Sequence, residues 1–215
     1  MSKNISKVHL EVLDKDRQEL LAKLLLYLGD FVLAGGTALA LHLTHRKSFD
    51  FDFFSSKPLE KKFIEKVSKA ISIANISVDT QDELTFFTDD KIKLTFLHYP
   101  FDHAFPIEEL PNGLRLFSIQ DIAIKKAYTI GRRGEYRDYF DLYSIIKENY
   151  MGLKEVISHA KRIYGSIFEE KIFLEQLVFF DDLLSFDIVP ADKPVPNHQE
   201  VKRFFESLVK KYLAF

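Results

Sequence analysis

The sequence predicts an α+β protein, with an α/β part over residues 1–115 followed by a helical part over 116–215. Three observations carry this. Between residues 31 and 98, apolar residues fall in short blocks or alternate, the pattern of buried and half-buried strands. From Ser118 onward they recur every three or four residues, the pattern of helices. The chain has 215 residues, 47% of them hydrophobic, and no Cys. Its core must therefore come from packing alone, and a chain of this size buries about 70–75% of its unfolded surface.

The elements follow in order. Leu10, Leu13, Arg17, Leu20, Leu21, Leu24 and Leu28 lie at helical spacing, which predicts a helix over 8–29 stopped by Gly29. Phe31 to Ala34 is a short buried strand. Gly35-Gly36-Thr37 is a turn, and a short helix starts at Ala38. Ser48 to Phe54 alternates, with Phe49, Phe51 and Phe53 facing the core and Asp50 and Asp52 on the other side. Pro58 opens a helix to about Ile73. Strands follow near 76–79, 84–88 and 91–98, the last two joined by a turn at Asp89-Asp90. Helices are predicted near 118–131, 135–149, 153–164, 167–177 and 197–212, with a proline-containing loop over Val189 to Asn197.

Composition excludes several classes. Without Cys there is no disulfide scaffold, thiolate zinc site or thiol nucleophile, which agrees with a cytoplasmic location. No apolar run approaches the roughly 20 residues of a membrane span, and Met1 to Arg17 is charged throughout, unlike a signal peptide. A soluble protein with no membrane contact is expected. The net charge of -2 argues against non-specific coating of nucleic acid. It hides an uneven distribution, however. Residues 115–137 hold six basic side chains against two acidic ones, and residues 169–187 hold six acidic ones against one basic.

Two constellations have chemical potential. In the first, a Gly-Gly-Thr turn follows a buried strand and precedes a helix, where glycines admit a close ligand and amide groups attract phosphate. Asp50 and Asp52 follow on a strand, so both carboxylates face one side. Such a pair suits Mg²⁺ ions bridging triphosphate oxygens. Taken singly, each piece reads as an ordinary turn or a solvated strand face. The absence of Gly-Lys-Ser/Thr rules out a P-loop.

The second constellation runs from Ser118 to Asp141. Ser118 and Asp121 match a helix N-terminal cap. Lys126 falls on the apolar stripe with Ile119, Ile122, Ala123 and Ile130, whereas Lys125, four residues after Asp121, reads as a solvent-facing ion pair. An inward lysine requires an anion, and a nucleotide phosphate is one. Asp138 and Asp141 head the apolar stripe of the next helix. Two readings stand side by side: a phosphate site, or a buried salt-bridge set joining Lys126 or Arg133 to Asp138 or Asp141.

Together these residues resemble the AbiEii/AbiGii toxin family of nucleotidyltransferases. The resemblance rests on the string from Ala34 through Gly35-Gly36-Thr37 and His45-Arg46-Lys47-Ser48 to Asp50-Phe51-Asp52-Phe53-Phe54. It rests also on Lys126, Arg133-Gly134 and Arg137-Asp138-Tyr139-Phe140-Asp141-Leu142. It covers roughly residues 10–150. It implies a DNA polymerase β-like fold, that is, a mixed sheet with flanking helices followed by a C-terminal helical region. Residues 1–115 would form the nucleotidyltransferase-like domain and 116–215 a helical domain packed on it. It implies transfer of a nucleoside monophosphate from an NTP to tRNA, another RNA or a protein, with two Mg²⁺ ions. A toxin–antitoxin or phage-defence role follows, with a cognate antitoxin as partner. By position, Asp50 and Asp52 would hold metal, and Asp50, Asp52 and Asp138 would be catalytic. Gly35, Gly36, Thr37, Arg46, Ser48, Lys126, Arg133 and Asp141 would bind nucleotide.

One departure from the wider fold bears on activity. The usual third carboxylate belongs on a later strand, and Lys91 to Leu97 offers none, with Thr95 near its place. Asp79 and Asp138 are the substitutes at hand. Without either, the chain would be a degenerate nucleotide-binding or protein-interaction module. Of the remaining features, His98 and His103 read as surface or loop residues. Tyr99-Pro100-Phe101 reads as a core plug rather than a base-stacking platform, and the Phe pairs 86–87, 179–180 and 204–205 as packing.

Overall fold

A computed structural model describes residues 8–214. Met1 to Lys7, part of the charged segment read as unlike a leader, lie outside the described residues. A seven-stranded mixed sheet has the order β3-β4-β5-β2-β1-β7-β6. Its strands are β1 (Val32–Leu33), β2 (Phe51–Ser55), β3 (Ile73–Asp79), β4 (Glu83–Thr88), β5 (Lys93–His98), β6 (Glu108–Glu109) and β7 (Arg115–Leu116). The helices are α1 (Lys15–Leu28), α2 (Gly35–Leu43), α3 (Phe63–Val67), α4 (Ile119–Thr129), α5 (Tyr136–Lys147), α6 (Leu153–Tyr164), α7 (Glu170–Val178) and α8 (His198–Leu213). The α+β class and the mixed sheet agree with the sequence reading.

Alternation along the three central strands decides which side of the sheet is core. Phe51 and Phe53 of β2, Leu94 and Phe96 of β5, and Leu84 and Phe86 of β4 are all at most 1% exposed. Phe63 of α3 closes over this face, its ring 4.8 Å from that of Phe96. The opposite face carries Asp52 and Phe54 from β2, Lys93, Thr95 and Leu97 from β5, and Glu83 from β4. Strands β2 and β5 run parallel with Asp52 paired to Thr95 and Phe54 to Leu97. A parallel pair needs a crossover, and the chain between β2 and β5 provides it through α3 and the β3–β4 hairpin.

Several boundaries differ from the periodicity. The predicted 8–29 helix is broken: a 3₁₀ turn at Leu10–Val12 precedes α1, which starts after Asp14 accepts the Arg17 amide. Gly29 ends it at φ 52°, as predicted. The helix expected from Pro58 to Ile73 shrinks to the five residues of α3. Helix α2 begins at Gly35, so Gly-Gly-Thr is its first turn and not a preceding loop. Strand β2 begins only at Phe51, and Phe49 is 41% exposed rather than in the core. Its ring lies under the Arg17 guanidinium at 5.1 Å. Strands β6 and β7 have two residues each, too short for any period to show. From α4 to α8 the predicted helices agree within a few residues.

Candidate active site

Asp52 anchors the site. Its backbone carbonyl accepts the Ala34 amide at 2.8 Å, which ties β2 to the start of α2. Gly35 has φ +64°, and a Cβ there would lie 2.5 Å from Asp52 Oδ2. Glycine is needed because its neighbour's carboxylate occupies the space, with a left-handed backbone as a second reason. Gly36 is similar: a Cβ would lie 2.2 Å from Arg46 Nη2. The two glycines thus make room for two side chains of the protein itself. Thr37 is buried, and its hydroxyl donates to Ser48 Oγ at 2.9 Å and contacts the Asp50 carbonyl. This pins the approach to β2 onto α2.

Behind Asp52 lies a buried ionic cluster. Asp141, fully buried, accepts Arg46 Nε at 2.7 Å and Nη2 at 2.9 Å, and His45 Nε2 at 2.7 Å. Lys126 Nζ lies 2.6 Å from Asp141 Oδ2 and 2.6 Å from Asp138 Oδ1, bridging the two carboxylates. Arg133 closes the set with a two-pronged bond to Asp138, Nε to Oδ2 at 2.7 Å and Nη2 to Oδ1 at 2.9 Å. Burial pushes both carboxyls up, but the facing cations outweigh it. Asp138 is held below the usual range by Lys126 and Arg133, and Asp141 well below it by Arg46 and Lys126. The salt-bridge reading of this constellation therefore holds in the geometry. An acid held this low is a weak proton acceptor.

Asp52 has the opposite character. Burial and the nearby Asp50 push its carboxyl up, while Lys126, Lys93 and Arg133 pull it down. Two carboxylates close enough to repel would have that repulsion relieved by a cation between them, although Lys126, Lys93 and Arg133 already offset part of it. Among the described residues no group of three His, Cys, Asp or Glu side chains is placed to hold a metal ion. Two carboxylate donors still fit Mg²⁺, which commonly takes one or two from protein and the rest from phosphates and water.

These residues open onto a cavity of about 420 Å³, within the size range of small-ligand sites. Of the predicted site residues, Gly35, Asp52, Lys126 and Arg133 line it. Gly36, Thr37, Arg46, Ser48, Asp50, Asp138 and Asp141 do not; of these, Asp138 and Asp141 hold Lys126 from behind, and Asp138 also holds Arg133. Asp79 lies on edge strand β3 and lines a separate surface depression with Leu59 and Phe63, so it supplies no third acid here. Thr95 stands directly beside Asp52.

The cavity also uses residues that the sequence reading missed or placed elsewhere. Glu83 lines it, and its carboxylate accepts the Thr85 hydroxyl at 2.7 Å. Lys93 faces it from β5. Lys125 does not point to solvent: it is 9% exposed and lines the cavity. Tyr99, Pro100 and Phe101 form part of the wall, so the expected core plug is also a cavity surface. Alternation would have put Lys93 on the Thr95 side. For Lys125 no signal existed, because every residue from Asp121 to Ala127 is buried and α4 has no solvent face.

Comparison with known proteins fits this geometry. A profile of the family described as nucleotidyl transferase AbiEii toxin, type IV TA system, matches residues 19–209. The chain belongs to the AbiEii family. An Aquifex aeolicus (strain VF5) relative described as uncharacterized protein aq_aa25 is 34% identical over 210 residues, spanning 94% of this chain and 98% of its own length. A Helicobacter pylori structure described as a candidate nucleotidyltransferase aligns with TM-score 0.56 at 20% identity, covering 94% of this chain and 98% of that one. JHP933, also from Helicobacter pylori, aligns with TM-score 0.50 at 19% identity, covering 96% and 98%. At such identities the two structures establish a shared fold. Membership of the AbiEii family makes this chain a nucleotidyltransferase-type toxin. Among its described residues no helix is long and apolar enough to cross a membrane.

Proposed function

We propose that this AbiEii family member moves a nucleoside monophosphate from an NTP to a hydroxyl of an RNA acceptor, tRNA included, in the cytoplasm. A cognate antitoxin would restrain it. The carrying observation is the convergence of Asp52, Lys126, Arg133 and Lys93 on one cavity whose far wall is aromatic. Lys126 and Arg133 would engage the triphosphate, and their fixed positions come from Asp138 and Asp141. Asp138 is thus a positioning residue here and not the proton acceptor. Asp50 and Asp52 would hold Mg²⁺, one or two ions, which supplies charge neutralisation on the phosphate oxygens when bound. The acceptor oxygen forms a bond to the α-phosphorus, the bond to the β-phosphate oxygen breaks, pyrophosphate leaves, and the hydroxyl proton passes to water. Fixed cations at the leaving phosphates stabilise the charge that develops there. Arg133 at the cavity, with Arg132 and Arg137 exposed in the adjoining stretch of chain, gives this segment a basic character suited to RNA.

The test is labelling of total RNA by each of the four α-³²P NTPs with Mg²⁺. Wild type labels RNA and Asp52→Asn does not. Absence of label from wild type with every NTP, over RNA and protein extract alike, overturns the reading. Thr95 in the third-acid position favours a second reading, in which the protein binds nucleotide without turnover. Calorimetric NTP binding by a wild type that transfers nothing would select it.

A further inference from the structure

We propose that the aromatic end of the cavity is the nucleobase subsite, and that Lys125 selects bases bearing a ring carbonyl oxygen over adenine. This rests on the nucleotidyl-transfer reading above and adds to it the class of donor.

The cavity changes character along its length. On the parallel strands β2 and β5, the Asp52–Thr95 pair is followed by Phe54–Leu97 and then Tyr99. Two residues of strand span roughly 7 Å, so the aromatic wall begins about one sugar's reach from the carboxylate. Helix α4 covers both ends: Lys126 acts on Asp52, while Lys125 sits over Tyr99. The wall is held in place from within. Tyr128 and Tyr164 stack at 4.4 Å, Phe101 meets Tyr164 edge-on at 5.1 Å, and the Tyr99 and Tyr164 hydroxyls are hydrogen-bonded at 2.6 Å. Flat, pre-ordered rings suit a stacked base.

Lys125 is the group left over. Its Nζ lies 4.3 Å from the Tyr99 ring centre and 3.9 Å from that of Phe117, and it forms no hydrogen bond or ion pair among the described residues. Asp121 supports the charge from a distance but makes no ion pair with it. That carboxylate already accepts the Ala104 amide at 2.7 Å, the Phe105 amide at 3.1 Å and the Ser118 hydroxyl at 3.0 Å. Burial pulls the Lys125 ammonium down to about 8, and the charge of Asp121 only partly offsets it. An ammonium is donor only. Guanine, uracil and cytosine each offer it a carbonyl oxygen, whereas adenine sets an amino donor beside its ring acceptors.

The test is calorimetric titration of the full chain, with Mg²⁺, by ATP, GTP, CTP, UTP and inorganic tripolyphosphate. Wild type binds the carbonyl-bearing NTPs about tenfold more tightly than ATP, the size of one good base contact. Lys125→Met loses that factor and keeps its ATP and tripolyphosphate affinities. Phe101→Ala, which leaves Lys125 intact, weakens every NTP but not tripolyphosphate. Equal loss of tripolyphosphate affinity in Lys125→Met would assign the lysine to phosphate and overturn the proposal. So would a wild type indifferent to the base, or one that prefers ATP. Wild type that binds tripolyphosphate and all NTPs alike overturns this proposal and leaves the nucleotidyl-transfer reading standing, whereas binding of no NTP sinks that reading itself.

Discussion

Asp141 offers the sharpest test of how the site is held. The resemblance placed it against the nucleotide; the structure places it beneath the lining, fully buried and accepting from Arg46, His45 and Lys126. Asp141→Asn keeps the shape but removes the charge, and its amide can accept with one oxygen where the carboxylate used two. Arg46, 4% exposed, then keeps Asp50 and Asp138 as distant counter-charges, and Lys126 keeps Asp138 as its one direct ion pair, with Asp52 further off. Breaking a buried ion pair from one side costs about 3–5 kcal/mol. For a chain of this size each kcal/mol moves Tm by about 2–4 °C, so a fall of about 6–20 °C is expected. Circular dichroism melts at pH 7, together with urea unfolding, measure it. A shift below about 2 °C would refute the claim that Asp141 clamps the site.

Other outcomes follow from the same geometry. Asp52→Asn abolishes transfer yet melts at or above the wild-type temperature, since burial and Asp50 disfavour the charge it removes; a lower Tm would contradict this. Gly35→Ala costs about 1–2 kcal/mol through its left-handed backbone. By displacing Asp52 it also lowers turnover about a hundredfold, which steady-state kinetics would register. Stability falls toward acid in two stages. His42 and His45 are held below their ordinary 6.5 by burial, so the unfolded chain gains protons first and stability declines as pH drops through about 6.5. Asp138 and Asp141, held below 3.8, contribute stability above that value, lost as pH falls through their folded values. Asp52, pushed up, opposes the second stage as one group against two. Urea midpoints from pH 8 to 3 would show both stages, and a midpoint flat from 7 to 5 would contradict the first.

How far the site was legible depended on the kind of contact. The Gly-Gly-Thr turn and the Asp50-x-Asp52 pattern are local, and each contributes one residue, Gly35 and Asp52, to the cavity lining. Their roles were not local. The glycines read as room for a ligand, yet the occupants are the Asp52 carboxylate and the Arg46 guanidinium, delivered by strand β2 and the chain just before it. Lys126 was legible as inward-facing because its stripe is apolar. Lys125 was not, because stripe logic assumes one solvent face, and α4 is buried among α2, α5 and α6.

By itself the sequence determined the order of elements from α4 onward, the apolar faces of β2 and β5, and the residues that mark the AbiEii family. These depend on spacing of two or of three to four residues, which the chain carries locally. Only the tertiary structure decided that Asp138 and Asp141 face Lys126, Arg133 and Arg46 rather than the cavity. It alone joined Tyr99, Phe101, Tyr128 and Tyr164 into one wall, and set Lys125 over the Tyr99 and Phe117 rings without a direct ion pair. Such contacts join residues up to 96 positions apart. Whether a buried charge meets its partner or a ligand is settled by packing, because the cost of leaving it unpaired is felt only once water has been removed.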